Sequence, residues 1–187
     1  MNIPLYLTMV RILFIPIFMV IYFLPFAYAH LCASFVFVLA ALTDALDGYL
    51  ARSWQMTTKM GAFLDPVADK LLIAAAVVMV TGTHAVAGLS IASTIVVLRE
   101  IAISAPREWM AELGKRTSVR VSRVGKVKTA VQMLALILLI AYTKSVMPAW
   151  VLILGVTLFY IAAALTVWSM FIYIKISWSD LTLSQEK

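Results

Sequence analysis

Apolar positions dominate this chain in six long runs, separated by short stretches in which polar and charged residues collect. The runs cover residues 8–28, 31–50, 62–81, 87–109, 127–146 and 149–174. Each approaches the roughly 20 apolar residues that a bilayer-spanning helix needs. The second, third and fourth are interrupted by charges near one end. The pattern predicts an all-α integral membrane protein of six transmembrane helices, forming a single membrane-embedded domain over residues 1–187. No internal repeat, low-complexity tract or long linker divides it. The most polar stretch, Gly-Lys-Arg-Thr-Ser at 114–118, is predicted to be a loop or surface helix at the membrane interface.

Composition excludes a soluble globular domain. Hydrophobic residues make up 64% and charged residues 13%, the latter about half the usual globular share, and mean hydropathy is +1.00. A signal peptide would account only for the first apolar run, and no A-x-A-like cleavage site follows a basic leader. The single cysteine, Cys32, has no intrachain disulfide partner and is expected to pack in an apolar run. Net charge is +6, with the basic residues gathered at segment ends. That distribution points to lipid head groups and phosphate-bearing substrates rather than nucleic acid.

The connections alternate in charge. The turns near 29–30, 82–85 and 143–148 contain one basic residue, Lys144. The connection after Leu50 holds Arg52 and Lys59, and that after Trp109 holds Lys115, Arg116, Arg120, Arg123, Lys126 and Lys128. Lys175 and Lys187 follow the last run. By the positive-inside rule, both termini and the two basic connections face the cytoplasm.

Against this background four carboxylates stand out. Asp44, Asp47, Asp65 and Asp69 are four of only nine acidic residues, and they follow the pattern D-x2-D-G-x2-A-R-x8-G-x3-D-x3-D. A carboxylate at membrane depth is costly and normally marks function. Four within reach of one another need cations to remain ionised, and an all-oxygen set suits Mg²⁺ or Mn²⁺. Helical spacing places Asp44, Gly48 and Arg52 on one face, with Asp47 beside them, and Gly61, Asp65 and Asp69 on one face of the next helix. If these helices form a hairpin, two acidic faces meet and can hold two cations that clamp a phosphoryl group. Gly48, Gly61 and Ala51 leave room for a bulky ligand, although small residues in membrane helices also serve close packing. Arg52 is a candidate for an aspartate or a phosphate. Pro66 is expected to kink or open the third helix. The competing reading is a proton or cation pathway, which would spread its carboxylates across the bilayer; here they gather at one side.

The eight fixed positions Asp44, Asp47, Gly48, Ala51, Arg52, Gly61, Asp65 and Asp69 resemble the signature of the CDP-alcohol phosphatidyltransferase family, with no departure from it. Beyond the eight fixed positions, NIPLYLTMVRILFIP, GAFLDPVADK and LREIAISAPREWMAELGKRTSVRVSRVGKVKT are similar to bacterial members that use glycerol 3-phosphate as acceptor. The resemblance implies a six-helix CDP-alcohol phosphotransferase fold in the bacterial inner membrane, with the active site facing the cytoplasm, and a homodimer. It implies two divalent cations, Mg²⁺ or Mn²⁺, held by Asp44, Asp47, Asp65 and Asp69, with Asp69 also the catalytic base. Gly48, Arg52 and Gly61 would bind CDP-diacylglycerol, and CMP would be displaced by an alcohol. The signature does not separate glycerol 3-phosphate from other acceptors such as inositol phosphate or serine.

A dianionic acceptor calls for cations near the metals. Arg107, Arg116, Lys126 and Lys128 lie towards the predicted cytoplasmic mouth, and Lys126 ranks first because it opens the fifth run within GKVKT. Each is also explained as an anchor to lipid phosphates, and Arg116 by a helical pair with Glu112. Arg99, inside an apolar run, needs a partner; Arg99 and Glu100 are alternatively a structural ion pair. Trp54, Trp109, Trp150 and Trp168 suit interfacial belts or packing, the methionines suit core filling, and His30 and His84 lie in turns away from the site.

Overall fold

The computed structural model describes residues 3–54, 59–112 and 123–184. They form six α-helices: α1 (Ile3–Tyr22), α2 (Ala29–Trp54), α3 (Lys59–Thr83), α4 (Leu89–Glu112), α5 (Arg123–Ala141) and α6 (Ala149–Ser184). The six apolar runs therefore correspond to six helices, with shifted ends. Residues 114–118 lie outside the described residues.

Prolines account for the shift at the end of α1. α1 starts at Ile3, with Pro4 in its first turn, where a missing N–H costs nothing. It stops at Tyr22 rather than 28, because Pro25 carries no N–H and biases Leu24 away from helix. The last turn tightens instead: Phe23 N–H and Leu24 N–H donate to Val20 O and Ile21 O, both at 3.2 Å. The first connection thus occupies 23–28 rather than 29–30. Pro66 was expected to kink or open α3, but the helix runs uninterrupted from Lys59 to Thr83. The ring removes only the backbone bond to Ala62, and the helix holds on either side. α6 continues to Ser184, well beyond residue 174. Among the described residues one stretch, Ala149–Phe171, is by itself long and apolar enough to cross a membrane; the apolar parts of α1, α2 and α5 (Tyr6–Tyr22, Ala29–Asp44 and Val127–Ala141) are shorter.

The helices group into two compact units, and α5 and α6 contribute to both. The first comprises Met1–Ala85 and Leu136–Gly155. In it α1 packs against α2 and α3, and α2 touches α3. The seam is built at helical spacing: Ala33, Phe37 and Ala40 of α2 and Ala68, Leu72 and Ala76 of α3 are buried. Phe18 of α1 meets Phe37 with ring centroids 5.9 Å apart. Cys32, expected to pack, is exposed, because it falls one position off the buried stripe that begins at Ala33. The opposite face of α1 shows Leu13, Ile17 and Val20 at 61%, 45% and 63% exposure, a contiguous apolar stripe of the kind that marks a lipid or protein contact.

The histidines find structural work in this unit. The last carbonyls of a helix lack intrahelical donors. At the end of α5, His84 Nε2 donates to Leu139 O at 2.8 Å and His30 Nδ1 to Ile140 O at 3.2 Å. Ser34 Oγ donates to Ile137 O at 3.0 Å. These bonds tie α2 and the end of α3 to the end of α5. Gly155 of α6 closes the same region: a Cβ there would lie 3.0 Å from Leu139 Cγ and Cδ2.

The second unit comprises Val86–Ala135 and Val156–Lys187. Its α4 opens on Gly88, whose φ of +78° suits only glycine without strain. Tyr160 of α6 donates its hydroxyl to Ala87 O beside that turn. Leu89, Ala92, Val96 and Ile103 of α4, and Phe159, Ala162 and Thr166 of α6, are buried.

Gly155→Ala should lower stability by about 1–3 kcal/mol, because the added methyl must displace the fully buried Leu139. Unfolding in mixed micelles checks this, and Gly155→Leu should be worse. A Gly155→Ala protein as stable as the parent would show that Leu139 yields freely.

Candidate functional site

Asp44 lies on α2, and Asp65 and Asp69 lie one turn apart on α3. All three side chains are partly exposed, Asp44 at 44%. The unbroken course of α3 through Pro66 keeps Asp65 and Asp69 in register, with Gly61 a turn earlier and buried.

Two of these carboxylates are gripped by α1. Arg11 Nη1 lies 2.7 Å from Asp44 Oδ1, and the Arg11 side chain is fully buried. Thr8, also fully buried, donates its hydroxyl to Asp65 Oδ1. Thr8 and Arg11 are three residues apart and so share one helix face. α1 thereby connects an aspartate of α2 to an aspartate of α3. Arg52 is the counter-charge that the sequence pattern offers, whereas the structure sets Arg11 of α1 against Asp44. The available signal was an arginine inside the first apolar run, which is costly unless paired.

The donor set is composed of carboxylate oxygens, which suits a hard cation such as Mg²⁺ or Mn²⁺ and not zinc. Asp44 and Asp65 each engage α1 through Oδ1 and carry a second oxygen, Oδ2. Among the described residues, no three acidic, histidine or cysteine side chains converge as a complete metal cage. The α2 backbone carries Asp47, Gly48 and Arg52 within the helix, but the side chains of Asp47 and Arg52 lie outside the described residues.

The basic candidates divide in the same way. Arg116 lies outside the described residues, as do the side chains of Arg107 and Lys126. Lys128 is described, and only 2% of its side chain is exposed. Its Nζ lies 3.2 Å from Glu100 Oε1, and Glu100 Oε2 lies 3.4 Å from Arg99 Nη1. Arg99 Nη2 donates to Ser169 Oγ at 3.0 Å, and Ser169 Oγ donates to Thr166 O at 2.9 Å. The Arg99–Glu100 ion pair considered from sequence is present, and Lys128 joins it. Charges from α4 and α5 and a hydroxyl from α6 therefore form one network within the second unit.

Comparison with known proteins gives this geometry a family. The profile described as CDP-alcohol phosphatidyltransferase matches residues 1–172. The chain belongs to the CDP-alcohol phosphatidyltransferase family. Proteins named CDP-diacylglycerol--glycerol-3-phosphate 3-phosphatidyltransferase are similar to it over nearly their full length. The one from Sodalis glossinidius is 48% identical, covering 97% of each chain. That from Salmonella typhimurium is 49% identical, covering 96% of this chain and 97% of its own. That from Pectobacterium atrosepticum is 48% identical with the same coverage. The matched family region includes α1 as well as the acidic helices, so Thr8 and Arg11 lie within it.

Lys128→Met and Glu100→Gln should each destabilise the protein. Their effects should fall short of additive by about 1 kcal/mol in a double-mutant cycle read by unfolding in mixed micelles. Strict additivity would show that the pair contributes nothing to the fold.

Proposed function

We infer that this chain is an enzyme that transfers the phosphatidyl group of CDP-diacylglycerol to glycerol 3-phosphate, yielding phosphatidylglycerophosphate and CMP in phospholipid synthesis. The single observation that carries this reading is the near full-length identity of about 48% to proteins named for that reaction. The complete signature from Asp44 to Asp69 agrees with it.

The chemistry follows from the residues. Asp44, Asp47, Asp65 and Asp69 would hold two divalent cations, Mg²⁺ or Mn²⁺. When bound, such cations neutralise pyrophosphate charge and stabilise the departing phosphate oxygen. Gly48 and Gly61 leave space for the CDP moiety, and Arg52 offers it a fork of donors. Asp69 takes the proton from the glycerol 3-phosphate hydroxyl. That oxygen bonds to the lipid-side phosphorus, and the bond from this phosphorus to CMP breaks, with CMP keeping the electron pair. Arg107, Arg116 and Lys126 are the cations for the acceptor phosphate, and Lys128 joins them if it can leave Glu100.

The apolar composition and the exposed stripe on α1 support residence in the bacterial inner membrane, with the six helices as six spans. The loop-charge asymmetry supports termini and active site on the cytoplasmic side. The homodimer that the family resemblance implies would draw on small residues of α3 and α4 for close packing.

CMP release from detergent-purified protein with CDP-diacylglycerol tests the reading. It should require both Mg²⁺ and glycerol 3-phosphate. Asp65→Asn should lower turnover on the order of 10²–10³-fold, matching the several kcal/mol a bound cation supplies to the transition state. Release with inositol phosphate or serine instead would keep the chemistry and change the acceptor. Folded protein inactive with every acceptor would overturn the reading.

A further inference from the structure

We propose that Thr8 and Arg11 of α1 are positioning residues for the cation site: each holds one carboxylate by one oxygen and turns the other oxygen towards the cations. This inference rests on the dimetal reading above, and goes beyond it by making the first helix part of the site.

The contacts are specific. The Thr8 hydroxyl donates to Asp65 Oδ1, and Arg11 Nη1 sits 2.7 Å from Asp44 Oδ1. Both α1 side chains are fully buried, while the aspartates they hold are partly exposed. The α1 ends of these contacts therefore lie in the packed seam, while the aspartates that they hold remain partly open to a ligand. Burial immobilises both α1 side chains, and a hydrogen bond at Asp65 Oδ1 or a close ion pair at Asp44 Oδ1 restricts the torsional freedom of the other oxygen. Partners that orient a ligating carboxylate in this way typically govern metal affinity by 10–100-fold.

Arg11 adds charge as well as orientation. Asp44 and Asp65 sit on different helices, so without cations their repulsion would push α2 and α3 apart. A guanidinium on Asp44 keeps the pair of helices seated on α1 before any cation arrives. The Arg11 guanidinium offsets the charge of Asp44.

The test is Mn²⁺ uptake by the full chain in detergent, without substrates, followed by the loss of the free Mn²⁺ resonance. Asp65→Asn serves as the reference for a missing ligand. Thr8→Val, which keeps the shape and loses the hydroxyl, should bind Mn²⁺ about 10–100-fold more weakly, and Thr8→Ser should stay within about threefold of the parent. Raising Mg²⁺ should restore most of the turnover of Thr8→Val, whereas a folding defect would depress turnover at every Mg²⁺ concentration. Thr8→Ala is read in the same way should the valine variant fold poorly. Arg11→Gln should also weaken Mn²⁺ binding.

Parental Mn²⁺ affinity in Thr8→Val, with Asp65→Asn defective, overturns the positioning role of Thr8 and leaves the dimetal reading intact. Tighter Mn²⁺ binding in Arg11→Gln overturns the role given to Arg11, showing that it competes with the cation. A parent chain that takes up no Mn²⁺ removes both the inference and the reading beneath it.

Discussion

The ion pair between Arg11 and Asp44 is the contact that makes an acidic helix compatible with an apolar seam. Arg11 is fully buried, and a guanidinium withdrawn from water is tolerable only when paired. Asp44 supplies the opposite charge as an ion pair at 2.7 Å, and α2 is thereby held against α1 at the level of the acidic cluster. Thr8, a turn away, does the same for α3 through Asp65. The hydrophobic contacts among Phe18, Phe37 and the small residues of α2 and α3 are non-directional and would tolerate a helix sliding along its neighbour. The polar contacts would not, because a displacement of one residue would strand a buried charge. Apolar packing supplies cohesion, and the polar pair supplies register.

The second unit solves a similar problem with different parts. Arg99, Glu100 and Lys128 all fall within helices and share one network, with Ser169 of α6 closing it. Among the described residues two cations face one carboxylate, a surplus of positive charge. That asymmetry matters for the acceptor. A region with surplus positive charge is where a dianion gains most, yet Lys128 is already engaged with Glu100. Within this network Arg99 and Lys128 each face a different oxygen of Glu100.

Much of this was legible in the sequence, for reasons that particular residues make plain. Six apolar runs correspond to six helices because runs of that length leave few alternatives. The aspartate pattern was legible because eight constrained positions at fixed spacing seldom arise by chance, and the helical period alone put Asp65 and Asp69 on one face. What was hidden depended on contacts between distant parts of the chain. Nothing local distinguishes Thr8 from any other threonine in an apolar helix; its meaning comes from Asp65, far along the sequence. Arg11 was visible as an anomaly but not as the partner of Asp44. Lys128 was read by its neighbours in GKVKT, whereas its burial depends on Glu100 of another helix. Prolines misled in both directions: Pro25 ended α1 early, and Pro66 left α3 whole.

The placement of the acidic cluster also bears on its chemistry. A cation pathway needs carboxylates that change partners as the ion moves, so tethering them to buried groups would work against it. Here Asp44 and Asp65 are each anchored through one oxygen to a side chain that cannot readily follow them. Anchored carboxylates suit a site that must present fixed charge to a pyrophosphate, where most of the catalytic benefit comes from dipoles and charges already in place when the substrate arrives.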